Sequence, residues 1–231
     1  MLMSSQMSDA RLIDPVADHL ALSMPEIGAL ATRTARGAGF SWGMAEEAGY
    51  AAIWLAQYGF NWADIMLNRL NGARGAHPVP AKRKWLTEGA SCALHAGVTL
   101  AEFAGLPEGP LGDGVTIGTL LDPLCFLPFA ARAAQITGAS LDLFGDGILW
   151  AEFGSCHVRL AARSANNVDA ATIRLVVSHD APTQITACSP AATAGVTKAT
   201  YARLEALALH MTVPSTEQSK AGAGSVFSDN D

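Results

Sequence analysis

Charged side chains are scarce in this sequence, and positively charged ones are the scarcer kind. Only 16% of the 231 residues are charged, and 15 Lys and Arg stand against 21 Asp and Glu, a net charge of −6. A protein that binds nucleic acid needs a concentrated basic face to neutralise phosphates. The one basic run is Lys82-Arg83-Lys84, and three charges in a Pro-flanked stretch are typical of a solvated loop. We therefore expect no nucleic-acid partner.

Long apolar runs are missing as well. The most apolar run, residues 117–131, is interrupted by Asp122, Pro123 and Pro128 and is shorter than the ~20 residues that a membrane-spanning helix needs. The first residues, MLMSSQMSDARLID, have no basic start followed by an apolar core, as a secretory signal would. We expect no membrane segment and a cytoplasmic protein.

Paired cysteines and nucleotide-binding signatures are also absent. The four cysteines are scattered singly, without a C-x-x-C pair, which argues against a disulfide framework. Cys92 and His95 form a C-x-x-H pattern, but no second ligand pair follows at zinc spacing, so we expect no metal. There is no P-loop and no dinucleotide-binding fingerprint. The sequence predicts no cofactor.

Apolar residues, in contrast, are abundant. They make up 50% of the chain, and the mean hydropathy is +0.22. Such a balance favours a large interior, or extra apolar surface that is buried between subunits. We expect a homo-oligomer.

The first part of the chain has the signals of a helical unit. Residues 1–22 are polar and read as a loosely held lead-in. Ser23 and Glu26 form a capping box that starts a helix, and Gly37 and Gly39 end it. The predicted helical part, residues 23–72, also contains helices at 42–58 and 62–70.

The second of these helices has a face of very small side chains. Ala45, Gly49, Ala52 and Ala56 fall at positions i, i+4, i+7 and i+11. Such a face lets the backbone of another helix come very close.

The remainder of the chain predicts an α+β fold, so that residues 23–231 form a single α+β domain. Residues 73–121 are rich in Gly and Pro and read as an irregular middle. Asp122-Pro123 starts a helix that Pro128 kinks. The α/β part, residues 122–212, then contains a hairpin at 139–154, strands at 156–163 and 171–180 that complete a meander of about four strands, and a helix at 198–211; a tail, 213–231, follows.

The junction between the first two helices, RGAGFSWGMAEE (residues 36–47, here called the corner), is the most unusual stretch. Arg36 can pair with Glu47 across it as a purely structural link, and we expect Trp42 to be buried there. Gly37 and Gly39 suit positive φ angles. The free N–H groups at the start of the second helix offer an anion-binding geometry if the corner is open.

Three stretches resemble a bacterial family known only as a domain of unknown function. They are residues 25–60, 120–143 and 212–231, with the motifs RGAGxxWGxAEE and VPxxExS…GAG…DND. Composition alone predicts a disordered tail, whereas the resemblance implies an ordered one that packs against the corner of the same or a neighbouring subunit. The tail positions that it implies are Pro214, Glu217, Ser219, Gly222, Gly224, Asp229 and Asp231.

The opening helices are also similar to those of the malate/sulfolactate type of NAD(P)-dependent dehydrogenases. That family continues with a Ser-His-Gly segment that carries its catalytic histidine. At the matching place this chain reads NWADIMLNRLNG, residues 61–72, which contains no histidine. The activity is therefore not transferred.

Three functions follow from the corner. The first is an accessory or small-anion-binding protein of small-molecule metabolism, in which Arg36 holds a carboxylate. The second is a cofactor-free lyase, isomerase or hydrolase with Glu47 as base and Arg36 as clamp. The third is a structural or assembly protein. The candidate ligand-binding residues are Arg36, Gly37, Gly39, Trp42, Gly43, Glu46, Glu47, Glu217, Ser219, Gly222 and Gly224.

Overall fold

The computed structural model describes residues 18–72, 74–154, 157–160, 168–178 and 191–211. Within these ranges the chain forms six α-helices and eight β-strands. The fold is of the predicted α+β class, with helices first, then strands, and a closing helix. In chain order the elements are β1 (His19–Ser23), α1 (Met24–Gly37), α2 (Trp42–Gln57), α3 (Trp62–Asn71), β2 (Ser91–Cys92), α4 (Ala93–Phe103), β3 (Val115–Leu121), α5 (Leu127–Thr137), β4 (Leu141–Gly145), β5 (Ile148–Phe153), β6 (Val158–Leu160), β7 (Ala170–Val177), β8 (Thr193–Thr197) and α6 (Lys198–Ala208).

The first three helices confirm the predicted helical unit. The Ser23 N–H donates to the Glu26 carboxylate at 2.8 Å, as the capping box requires. The small face of α2 packs on α1 with almost no space between the backbones. A Cβ atom at Gly49 would lie 2.3 Å from the Thr32 hydroxyl and 3.0 Å from the Gly28 carbonyl oxygen. Glycine is therefore what permits this helix–helix distance.

The strands form two sheets. Six strands make one sheet in the order β2-β3-β7-β4-β5-β6, and β1 pairs with β8 in a separate two-stranded sheet. The β2–β3 pair is parallel, and the other pairs are antiparallel. The predicted hairpin is present as β4–β5, and its turn residues Asp146 and Gly147 both have positive φ, as a type I′ turn requires.

The predicted meander is wrong in its strand order, because β7 lies between β3 and β4. A meander would have placed β7 beside β6, its predecessor along the chain. The pairing of β3 with β7 joins residues more than fifty positions apart, such as Val115 and Leu175. Local spacing carries no information on such a partner.

The expectation that the middle of the chain is irregular is wrong. Residues 73–121 contain β2, α4 and β3. Gly97, one of the glycines that made this stretch read as irregular, lies within α4 and packs directly on Phe129, whose ring would be 2.2 Å from an added Cβ. The glycine therefore serves close packing of α4 on α5.

Two further boundaries differ from the prediction. The described end of the lead-in, residues 18–22, lies mostly in the strand β1 (His19–Ser23), which pairs with β8 from the other end of the described chain. The predicted kinked helix is a 3₁₀ turn over Pro123–Phe126 followed by α5. Pro128 lies in the first turn of α5, where its missing N–H is not needed.

The contact between α1 and α2 predicts that replacing two glycines of α2 by alanine changes the free energy of unfolding by very different amounts. Gly49→Ala should lower the free energy of unfolding by about 1–3 kcal/mol, because the added methyl group has no room. Gly43→Ala is the matched control, since a Cβ there meets nothing within 4 Å, and it should leave stability unchanged or slightly higher. Urea unfolding measures both, and equal midpoints would contradict the close packing.

Candidate functional site

The first half of the corner is a tight loop. The carbonyl groups of Ala38, Gly39 and Phe40 in this loop each accept a side-chain hydrogen bond. The Ala38 N–H donates to Thr34 O at 2.9 Å, and the Phe40 N–H donates to Ala35 O at 3.0 Å. Gly39 has a φ of 84°, which a residue with a side chain rarely adopts. Phe40 is only 4% exposed, so its buried ring anchors the loop.

Two guanidinium groups bind these carbonyls. Arg36 donates through Nη1 to Phe40 O. Arg74, from the segment after α3, donates to Ala38 O at 2.7 Å and to Gly39 O at 3.2 Å. Because the acceptors are neutral, neither positive charge is compensated by these bonds. Arg36 Nε is in addition buried without an acceptor among the described residues.

Aromatic rings lie beneath both guanidinium groups. Arg36 stacks 4.5 Å from the centre of the Trp42 ring, and Arg74 lies 5.4 Å from that of Phe40. Trp42 is 62% exposed, so the expectation that it is buried was wrong. As the first residue of α2, it points away from the core, and the stacked Arg36 is what orients it.

The start of α2 is open to solvent on the same side. Its cap, Ser41, accepts only a long bond of 3.4 Å from the Met44 N–H. No acidic residue lies in the first turn, and the space around Gly43 is empty. The free N–H groups of this turn therefore add their positive potential to that of the two arginines.

Two histidines, His77 and His95, lie beside the loop. His95, in the first turn of α4, stacks on Phe40 with ring centres 5.7 Å apart, and His77 lies 4.0 Å from His95. His95 Nδ1 is buried and has no hydrogen-bond partner among the described residues. The C-x-x-H pattern at Cys92 was the only signal for this histidine, and it had been considered for metal alone.

The potential at His95 is positive. Burial in the first place, and then the charges of His77, Arg69 and Arg74, lower the pKa of His95 from 6.5 to about 4. Arg69 is balanced by Asp122, whose carboxylate lies 2.9 Å away. Burial raises the pKa of Asp122, although Arg69 opposes this rise. Neither Arg36 nor Arg74 pairs with a carboxylate in the described part of the chain.

The predicted pair between Arg36 and Glu47 is not formed. Glu47 accepts from Arg132 of α5 at 2.7 Å, and Arg132 lies 3.7 Å above the Tyr50 ring. Glu46 is exposed. Arg36 turns the other way because the Phe40 carbonyl and the Trp42 ring hold it. Glu47 thus links α2 to α5, and Arg132 could not be found from local spacing.

The glycines of the corner differ in their roles. Gly39 has the expected positive φ, but Gly37 does not and is the last residue of α1. A Cβ at Gly37 would lie 1.8 Å from the Leu207 carbonyl oxygen of α6. The C-terminal helix therefore passes directly against the corner. The predicted tail residues Glu217, Ser219, Gly222 and Gly224 lie outside the described residues.

Comparison with known proteins agrees with one part of the sequence analysis. Residues 22–108 match the family described as "Protein of unknown function (DUF3726)", so the resemblance to a domain of unknown function is confirmed over this range. The matched range contains the corner, Arg74, His77 and His95. No curated protein and no solved structure matches the chain.

The described residues contain no helix that is long and apolar enough to cross a membrane. They also contain no group of three or more His, Cys, Asp and Glu side chains that could hold a metal ion.

The lowered pKa of His95 predicts a loss of stability in acid. Between pH 6.5 and about pH 4 the unfolded chain binds a proton at this residue and the folded chain does not, so the free energy of unfolding falls as the pH falls. In His95→Gln the free energy of unfolding should fall less steeply as the pH is lowered through this range. His210→Gln, which removes an exposed imidazole, controls for the loss of a histidine. Parallel stability profiles of wild type and His95→Gln would contradict the assignment.

Proposed function

We propose that this protein binds a small anionic metabolite, a carboxylate or phosphate ester, at the corner. One observation carries the proposal: Arg36 and Arg74 converge on consecutive carbonyls of one loop, and neither contacts a carboxylate in the described ranges. Two guanidinium groups on one loop concentrate positive potential there, which attracts an anion even though the chain has a net charge of −6. The role that follows is that of an accessory or binding protein in small-molecule metabolism.

The ligand would be held by groups that already have fixed positions. Each guanidinium keeps N–H groups beyond those used for the loop carbonyls, and a guanidinium can bind a carboxylate or phosphate through two parallel bonds. The open first turn of α2 supplies backbone N–H donors. The exposed face of Trp42 offers an apolar surface to the rest of the ligand.

The tail is proposed to complete this site. The contact between α6 and Gly37 supports this proposal. Because α6 ends against the corner, the chain that follows α6 starts close to it. Met211, the last described residue, is 38% exposed. Residues 212–231 would then lie over the ligand and bring Glu217 and Ser219 to its polar groups.

The binding prediction is tested by titration with phosphate and with succinate, read from backbone amide chemical shifts. Shifts are expected at residues 39–43. Arg36→Gln and Arg74→Gln should each weaken binding by about tenfold, the effect of one charge-assisted hydrogen bond. Arg33→Gln is the matched control, since Arg33 is on the same helix and already pairs with Glu205 at 2.7 Å. Binding that resists both corner variants would contradict the proposal.

The same titration tests the tail in a chain that ends at Met211. Weaker binding than in the full chain is expected. Equal or tighter binding would overturn the role of the tail and leave that of the two arginines intact.

Assembly is the second candidate, and the exposure of Trp42 is the observation that favours it. An indole that is 62% exposed is a typical centre of a protein interface. If a homo-oligomer buries it, Trp42→Ala should shift the sedimentation of the protein to that of a monomer. An unchanged sedimentation profile would remove this candidate. The enzyme hypothesis gains no support, since Arg132 engages the proposed base Glu47.

A further inference from the structure

Among the described residues, no helix covers the second face of the six-stranded sheet. Along β7, Ala171, Ile173 and Leu175 are buried against the core, whereas Thr172 and Arg174 are exposed. Alternate residues of a strand point to opposite faces. The exposed set therefore belongs to one continuous face, on the side of the sheet away from α4 and α5.

Arg174 lies at the centre of this face. The register places it opposite Thr116 of β3 on one side and Phe144 of β4 on the other. These three residues form one row across three strands. Thr172 and Val176 lie two positions before and after Arg174 on the same strand.

A groove follows this row. It encloses about 650 Å³ and is lined by all five of these residues, among others. Sites for small molecules commonly enclose about 300–1,000 Å³ and combine apolar walls with a few placed polar groups. Phe144 and Val176 supply the apolar surface, and the threonines supply hydroxyl groups.

Two charged side chains line the groove, Arg174 and Asp113. Among the residues that the structure describes, Arg174 contacts no carboxylate. The neighbouring acidic residues have other partners or lie in another row. Asp113 pairs with Arg83, and Asp146 accepts from the Thr172 N–H at 2.9 Å. Asp142 lies opposite Val176, in the next row of the sheet. The guanidinium is therefore the charged group left to bind a ligand.

We propose that this groove binds a small carboxylate with an apolar body, such as a medium-chain fatty acid or an aromatic acid. Arg174 binds the carboxylate, Thr116 or Thr172 adds a hydroxyl bond, and Phe144 with Val176 covers the hydrocarbon. An exposed guanidinium beside an apolar wall fits an amphiphilic anion better than a fully polar one. The site is separate from the corner and does not depend on its function.

The test is a titration of the full chain with octanoate, read from backbone amide shifts. Octanol, which has the chain without the charge, and acetate, which has the charge without the chain, are the ligand controls. We expect shifts at residues 116, 144, 172, 174 and 176 with octanoate, and binding at least about tenfold weaker with either control.

Variants separate this groove from the corner. Arg174→Gln should weaken octanoate binding by about tenfold, and Arg174→Lys should restore part of it. Arg33→Gln should have no effect. Shifts confined to residues 39–43, an unchanged affinity in Arg174→Gln, or octanol binding as tight as octanoate would each overturn the proposal. Because Arg174 is exposed, all variants are expected to fold.

Discussion

The close approach of α1 to two other helices is the constraint on which the rest of the structure depends. Gly28 and Gly49 bring α1 and α2 together, and Gly37 admits the backbone of α6. A methyl group at Gly37 or Gly49 would lie within 2.3 Å of another atom, so only hydrogen fits. The end of α1 is thus fixed between α2 and α6. This position in turn fixes the loop that follows and the direction of Arg36.

The electrostatic character of the corner follows from that geometry. The loop turns its carbonyls toward the two arginines, which hold the loop without losing their charge. The two carboxylates of the corner, Glu46 and Glu47, are directed elsewhere, one to solvent and one to Arg132. A positive site therefore persists in an acidic protein. The buried Arg36 Nε and His95 Nδ1, both without partners in the described part of the chain, mark the same place.

The features that the sequence revealed are those that depend on neighbours along the chain. The capping box at Ser23, the small face of α2 and the turn at Asp146-Gly147 are local signals, and each is found where it was expected. The features missed depend on distant partners. Arg132 lies 85 residues from Glu47, and β3 pairs with β7 across more than fifty positions. Gly97 was misread because a glycine that breaks a helix and one that admits a neighbour look alike in sequence. Whether the corner binds a ligand stays a prediction.

The most direct test of the central claim is the pKa of His95, measured by following its ring C–H signals with pH, with and without saturating sulfate. Sulfate keeps its charge over the whole range, so the probe does not titrate. Without it, burial and the nearby cations should hold the pKa of His95 near 4. An anion bound beside Arg74 would offset part of that positive potential and raise the pKa. The same titration curve in both samples would show that no anion occupies the corner.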